Sequence, residues 1–241
     1  MTEVTYPPLG LPKRVAEDVW VVDGGHEVAG APLPVRMTVL RLPDGSLLLH
    51  SPTRHTPQTQ AALEELGRIG HVVAPNTVHW AYVQGWQAQL ASATYWSVPG
   101  LRKRRAVVKS ALRLDHDLPG KVQQAWGGAV DCILVRGMGI TEAALFHRPS
   151  RTLVLTDLVV NVEQDKLPGL LSFGARLVGS VAPHGKAPIY VRMAFRMGGE
   201  EAKAAARRII ELEPERVIFS HGRWFDTGAA QKLKESLRWL T

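Results

Sequence analysis

The chain has 241 residues, 45% of them hydrophobic and 21% charged, an ordinary globular composition with enough length to bury a full core. Lysine and arginine outnumber the acids 29 to 22, a net charge of +7, yet no nucleic-acid motif accompanies them, so nucleic acid is not an expected partner. The single cysteine, Cys132, excludes an internal disulfide and, inside the apolar run 130–135, reads as a small buried hydrophobe.

The N-terminal stretch Met1-Thr-Glu-Val-Thr-Tyr-Pro-Pro has neither a basic n-region nor an apolar h-region. No uninterrupted apolar stretch is long enough to span a bilayer, and a cytoplasmic location is expected. Val19–Val22, Met37–Leu42 and Leu47–His50 read as strands, the last two joined by a turn at Pro43-Asp44-Gly45. Thr56-Pro57 opens a helix with an N-cap and a first-turn proline, and Gly67 closes it. Gly70–Asn76 runs as a strand into a loop, with a helix expected from near His79 to about Ala91. Thr94–Val98 is the next strand.

The basic run Arg102–Arg105, followed by Lys109 and Arg113, has no interleaved aromatics and reads as a solvated or substrate-steering face. Asp131–Val135, Glu142–Phe146 and Thr152–Thr156 are strands, with a hairpin at Arg148-Pro-Ser-Arg151. Residues 164–183 are apolar but broken by Pro168 and Gly174, and are expected to form short helices and a lid beside the site. Glu200–Leu212 is a helix, Val217–Ser220 a strand and Thr227–Leu240 a helix. No repeat or linker divides the chain, so one domain over residues 1–241 is expected. Two strand-rich stretches, each followed by helices, point to a sandwich of sheets with helices outside. No Gly-x-Gly-x-x-Gly or Walker A pattern is present, which argues against nucleotide binding.

Polar residues recur at the C-terminal ends of these strands. Val72-Val-Ala-Pro-Asn76 leads to His79, Thr152-Leu-Val-Leu-Thr-Asp157 ends on an acid, and Val217-Ile-Phe-Ser-His221-Gly222 ends on a histidine. Strand ends are where α/β active sites assemble, and imidazole and carboxylate suit zinc, iron or manganese. Ser51 also follows a strand, but it lacks the Gly-x-Ser-x-Gly elbow of a serine hydrolase.

The order of these motifs resembles the metallo-β-lactamase superfamily over nearly the whole chain. Arg151-Thr-Leu-Val-Leu-Thr-Asp157 looks like the strand that delivers its aspartate ligand, and Arg216-Val-Ile-Phe-Ser-His221-Gly222 like its final histidine motif. The resemblance implies a four-layer αββα sandwich holding metal at one edge, and the pattern looks like a divergent branch catalogued as a domain of unknown function. The signature His-x-His-x-Asp-His loop is replaced by Pro75-Asn-Thr-Val-His-Trp-Ala-Tyr82, and Met138 stands where a further histidine belongs.

Carried over residue by residue, the resemblance implies His79, Asp157 and His221 as metal ligands. Asn76, through its carbonyl oxygen, and Glu142 are stand-ins. It implies Asp157 and His221 as the catalytic pair, while Trp80 and Trp224, near these residues, are expected as walls of a substrate pocket. The cofactor implied is zinc or another divalent transition metal, and the activity is hydrolysis of an ester-like or phosphoester-like small molecule. The alternative is a non-catalytic ligand-binding protein on the same fold with the metal site lost. A third class is a peripheral membrane or partner-binding protein docking through 164–183 and the basic run.

Overall fold

Side-chain alternation decides the layering. Along Thr141–His147, Ala143 and Leu145 enter one apolar cluster while Ala144 and Phe146 enter another. Val154 parts from Leu153 and Leu155 in the same way, and Ile218 from Val217 and Phe219. Strands apolar on both faces must be covered on both, so a second sheet lies on one side and helices on the other.

The structure, a computed structural model, describes residues 5–28, 31–163 and 185–241. A seven-stranded sheet runs in chain order through β1 (Pro12–Ala16), β2 (Val19–Val28), β3 (Ala31–Arg41), β4 (Leu47–His50), β5 (Ile69–Ala74), β6 (Thr94–Ser97) and β7 (His116–Asp117). A four-stranded sheet has the order β11 (Arg216–Ile218), β10 (Thr152–Val154), β9 (Thr141–His147), β8 (Val130–Arg136). The first cluster fills the space between the sheets and also covers the outer face of the seven-stranded sheet, where Leu63 and Trp86 join it from helices Pro57–Glu64 and Val83–Gln87. The second cluster packs the far face of the four-stranded sheet against helices Ile189–Arg196, Gly199–Glu211 and Ala229–Leu237. The expected αββα sandwich is what forms. No helix among the described residues is long and apolar enough to cross a membrane.

Several elements differ from their sequence reading, each for a local reason. The helix expected from His79 to Ala91 is confined to Val83–Gln87. Upstream, the Asn76 side-chain oxygen takes the amides of Val78 (2.8 Å) and His79 (2.7 Å) and holds them in a turn. Strand β10 stops at Val154 because the Glu142 carboxylate, not a neighbouring strand, receives the amides of Thr156, Asp157 and Leu158. Pro12–Ala16 and Ile189–Arg196 were not anticipated. Residues 164–183, read as a lid, lie outside the described residues.

Two sets of parallel strands set up the functional edge. β4 pairs parallel with β5, so Ser51 and Asn76 follow adjacent strand ends. β10 pairs parallel with β11, so Asp157 and His221 do likewise. The edges meet where Ala143 N donates to Pro75 O (2.7 Å) and Asn76 bridges to Glu142. Arg36 of β3 fastens the same corner. Its buried guanidinium donates to the carbonyls of Phe219 (3.2 Å) and Gly222 (2.6 Å) while pairing with Asp23 at 2.8 Å.

Candidate metal centre

His79, Asp157 and His221 come from three separate loops, and one ligand-type atom from each lies within 4.8 Å of the others. His79 Nε2 is 3.4 Å from Asp157 Oδ2, and His221 Nε2 is 3.4 Å from Asp157 Oδ1. The two Nε2 atoms face each other at 3.2 Å.

The outer ring nitrogens are held from behind. His221 Nδ1 lies 2.8 Å from the Pro34 carbonyl. A carbonyl only accepts, so this nitrogen carries the proton and, in the neutral ring, turns the Nε2 lone pair to the centre. His79 Nδ1 lies 2.7 Å from Ser51 Oγ, which also accepts from Ser220 Oγ at 3.2 Å. The sequence reading left Ser51 without a role because it looked for a nucleophile motif. Its position after β4, level with the other strand ends, was the signal that marked it.

Asn76 and Glu142 are next to the centre but do not offer ligand atoms to it. Asn76 is fully buried; its Nδ2 donates to Asp157 Oδ2 (2.7 Å) and Thr156 Oγ1 (2.8 Å), while both acceptor sites of Oδ1 are filled by the amides of Val78 and His79. The amide that was to lend its oxygen instead orients Asp157. Glu142, also fully buried, is filled by the three amides of residues 156–158 and so shapes the turn that presents Asp157.

The electrostatics follow from this crowding. Burial alone would raise the Asp157 pKa, but the charge and hydrogen bonds of His79 and His221 overcome it and hold the carboxyl well below its usual range. Burial would lower His79, yet the Asp157 carboxylate beside it, with Glu142 further off, raises it. Glu142 is raised, first by burial and then by the Asp157 charge.

All three residues line a cleft of about 580 Å³. Its apolar wall is Val78, Met138, Ile140 and Val191, with Tyr82 and Tyr190 as its aromatics and Arg104 as a cation. Trp80 and Trp224, expected as pocket walls, do not line it. Trp80 packs against the first apolar cluster, and Trp224 lines a separate cleft with Tyr6, Lys13 and Arg36. A large aromatic near a site in sequence was a poor guide, because adjacent residues in a turn point to different faces.

The model of the family described as "Domain of unknown function (DUF4336)" matches residues 16–176. The chain belongs to the DUF4336 family. No curated protein matches this DUF4336 chain. Solved structures do. The metallo-β-lactamase from Pontibacter korlensis is 14% identical with a TM-score of 0.61, covering 95% of this chain and 97% of that one. The metallo-β-lactamase from Hirschia baltica is 12% identical, TM-score 0.62, covering 95% and 96%. FIM-1 from Pseudomonas aeruginosa, solved in a mono-zinc form, is 13% identical, TM-score 0.62, covering 95% and 93%. The DUF4336 chain is thus a divergent protein of metallo-β-lactamase fold, and at these identities the likeness speaks for the fold alone.

Proposed function

We propose that this DUF4336 protein is a one-metal hydrolase, with His79, Asp157 and His221 as ligands and an ester-like or phosphoester-like small molecule as substrate. The observation that carries the reading is the spacing of the donor atoms. Ligands about 2.0–2.1 Å from a tetrahedral zinc stand roughly 3.3–3.4 Å apart; here the two Nε2 atoms are 3.2 Å apart, each is 3.4 Å from a different Asp157 oxygen, and one donor atom from each residue lies within 4.8 Å of the others. Imidazole nitrogens backed by a carbonyl and a hydroxyl, and a carboxylate backed by an amide, form the second layer of support that metal ligands generally have. With Asn76 and Glu142 occupied elsewhere, a second metal is not part of the reading.

A bound divalent metal would supply Lewis acidity toward the scissile group and acidify a water. The remaining work falls to the chain. The cleft walls hold the apolar part of the substrate and exclude solvent, and Arg104 places positive charge where an anionic group would lie. Asp157, with its proton affinity depressed, stays ionised and orients the centre rather than storing a proton.

A second reading, a metal-free binding pocket, is favoured by one observation. The raised His79 pKa lets a proton, shared with Asp157, hold the same three side chains together. Elemental analysis after zinc supplementation separates the two. The hydrolase reading expects about one equivalent per chain, lost in Asp157→Asn, and turnover of an ester or phosphodiester panel that a chelator abolishes. Less than about a tenth of an equivalent, with no turnover, leaves the binding pocket.

A further inference from the structure

Exposed apolar side chains are unevenly placed on this molecule. Among the described residues eight large hydrophobics are exposed; Val78, Met138 and Tyr190 line the cleft, Ile189, Met193 and Met197 share the segment of Tyr190, and Val108 sits on the helix that cleft-lining Arg104 caps, all seven at 49–67% exposure. They belong to the 76–82 loop (Val78), the 105–110 helix (Val108), the 137–140 turn (Met138) and the segment 189–197. That last helix buries Val191 and Phe195 and turns Tyr190, Met193 and Met197 outward, so it is apolar on both faces. An ordinary surface helix keeps its outer face polar.

These segments form one rim. Arg104 donates to Thr77 O (3.1 Å) and Gly139 O (2.6 Å), tying the loop to the turn. Met138 N donates to Ala194 O (2.8 Å), tying the turn to the 189–196 helix. Across 76–82, 101–110, 137–140 and 189–197 the sequence carries seven lysines and arginines and no acid. Arg102 pairs with Asp117. Lys103, Arg105 and Lys109 are exposed with no ion pair among the described residues.

We propose that this rim docks on an anionic phospholipid surface, so that the cleft of the metal centre opens toward the bilayer. Clustered methionine, valine and tyrosine flanked by unpaired cations is the composition that lies in the headgroup layer. The alternatives fit less well. A protein partner would have to bring acids matched to Lys103, Arg105 and Lys109, which an anionic headgroup layer supplies without matching, and single-stranded nucleic acid needs stacking faces that methionine and valine lack. The proposal depends on the rim and not on the metal chemistry behind it.

The test is vesicle flotation of the full chain with phosphatidylglycerol-containing and pure phosphatidylcholine vesicles, alongside a labelled single-stranded oligonucleotide. The rim predicts binding to the anionic vesicles only, weakened by salt. Met138→Asp with Met193→Asp, and separately Lys103→Glu with Arg105→Glu, should each lower that affinity about tenfold or more. Arg207→Glu with Arg208→Glu, an equal charge change on another helix, should leave it within about twofold, because only charges near the membrane surface contribute. All these positions except Met138, in its turn, lie on helices, and circular dichroism checks each fold. The proposal is overturned by equal binding to both vesicles or to neither, or by indifference to the two methionine changes. Oligonucleotide binding that the rim charge changes abolish would reassign the cations and overturn it too. Zinc stoichiometry is read separately, so failure of the hydrolase reading cannot be mistaken for failure of this one.

Discussion

Two histidines outside the three-ligand centre give this protein an acid limit. His50 is 1% exposed with no partner for Nε2, and burial, with the charge of His79, lowers its pKa to about 3. His71 is lowered to about 4, chiefly by burial, and its Nδ1 accepts from the Trp96 indole at 3.1 Å. Both folded values lie below that of a free imidazole, about 6.5, so the unfolded chain takes up these protons first. Their neutral burial therefore stabilises the fold above pH 6.5, and that contribution is lost as pH falls toward 4 and then 3. The unfolding free energy from urea titrations should fall by roughly 2–3 kcal/mol between pH 7 and pH 4 on account of His50. His50→Leu should flatten that slope, and an unchanged slope would place the acid limit elsewhere.

At the scale of elements, the 156–158 turn is where a carboxylate has replaced a strand. Glu142 supplies two oxygens for three amides. Glu142→Gln leaves one oxygen and turns an NH2 group toward N–H donors, so about 1–3 kcal/mol of stability should be lost. Because the turn carries Asp157, zinc affinity should fall as well, measurable in the same preparation by calorimetry. Retained stability with full zinc affinity would show that Glu142 does not shape the turn.

The same turn marks how far the sequence could be read. Most strands of both sheets were legible as short apolar or β-branched runs, though not Pro12–Ala16 or His116–Asp117, and His79, Asp157 and His221 from their place after strand ends. The roles of Asn76 and Glu142 were not. Chain order puts both beside the centre, but only three-dimensional hydrogen bonding reveals that their polar atoms are filled by backbone amides. Trp80 and Trp224 misled for a related reason, since spacing does not tell which way a loop side chain turns. The helix Ile189–Arg196 went unread although its helical period is strong, because exposed Tyr190 and Met193 sit beside buried Val191 and Phe195 in one short apolar run.

For the molecule as a whole, β8–β11 contribute to both apolar clusters, so neither core should survive loss of the other. We expect a single cooperative thermal transition, in keeping with one domain, followed by circular dichroism and tryptophan fluorescence together. Zinc at about a hundred times its dissociation constant should raise stability by about 2.7 kcal/mol, and a chelator should reverse this. Two separated transitions would divide the chain, and indifference to zinc would favour the metal-free reading.

The three converging residues are 79, 157 and 221 in a chain of 241. Proteins are made from the N-terminus, at about 5–20 residues per second, so this centre cannot be complete before residue 221 has been made. While β11 is still within the ribosome, Arg36 lacks the Phe219 and Gly222 carbonyls, and Asp157 has one imidazole in place of two. A nascent or prematurely ended chain thus lacks the three-ligand centre. Metal capture here would report that translation has passed residue 221.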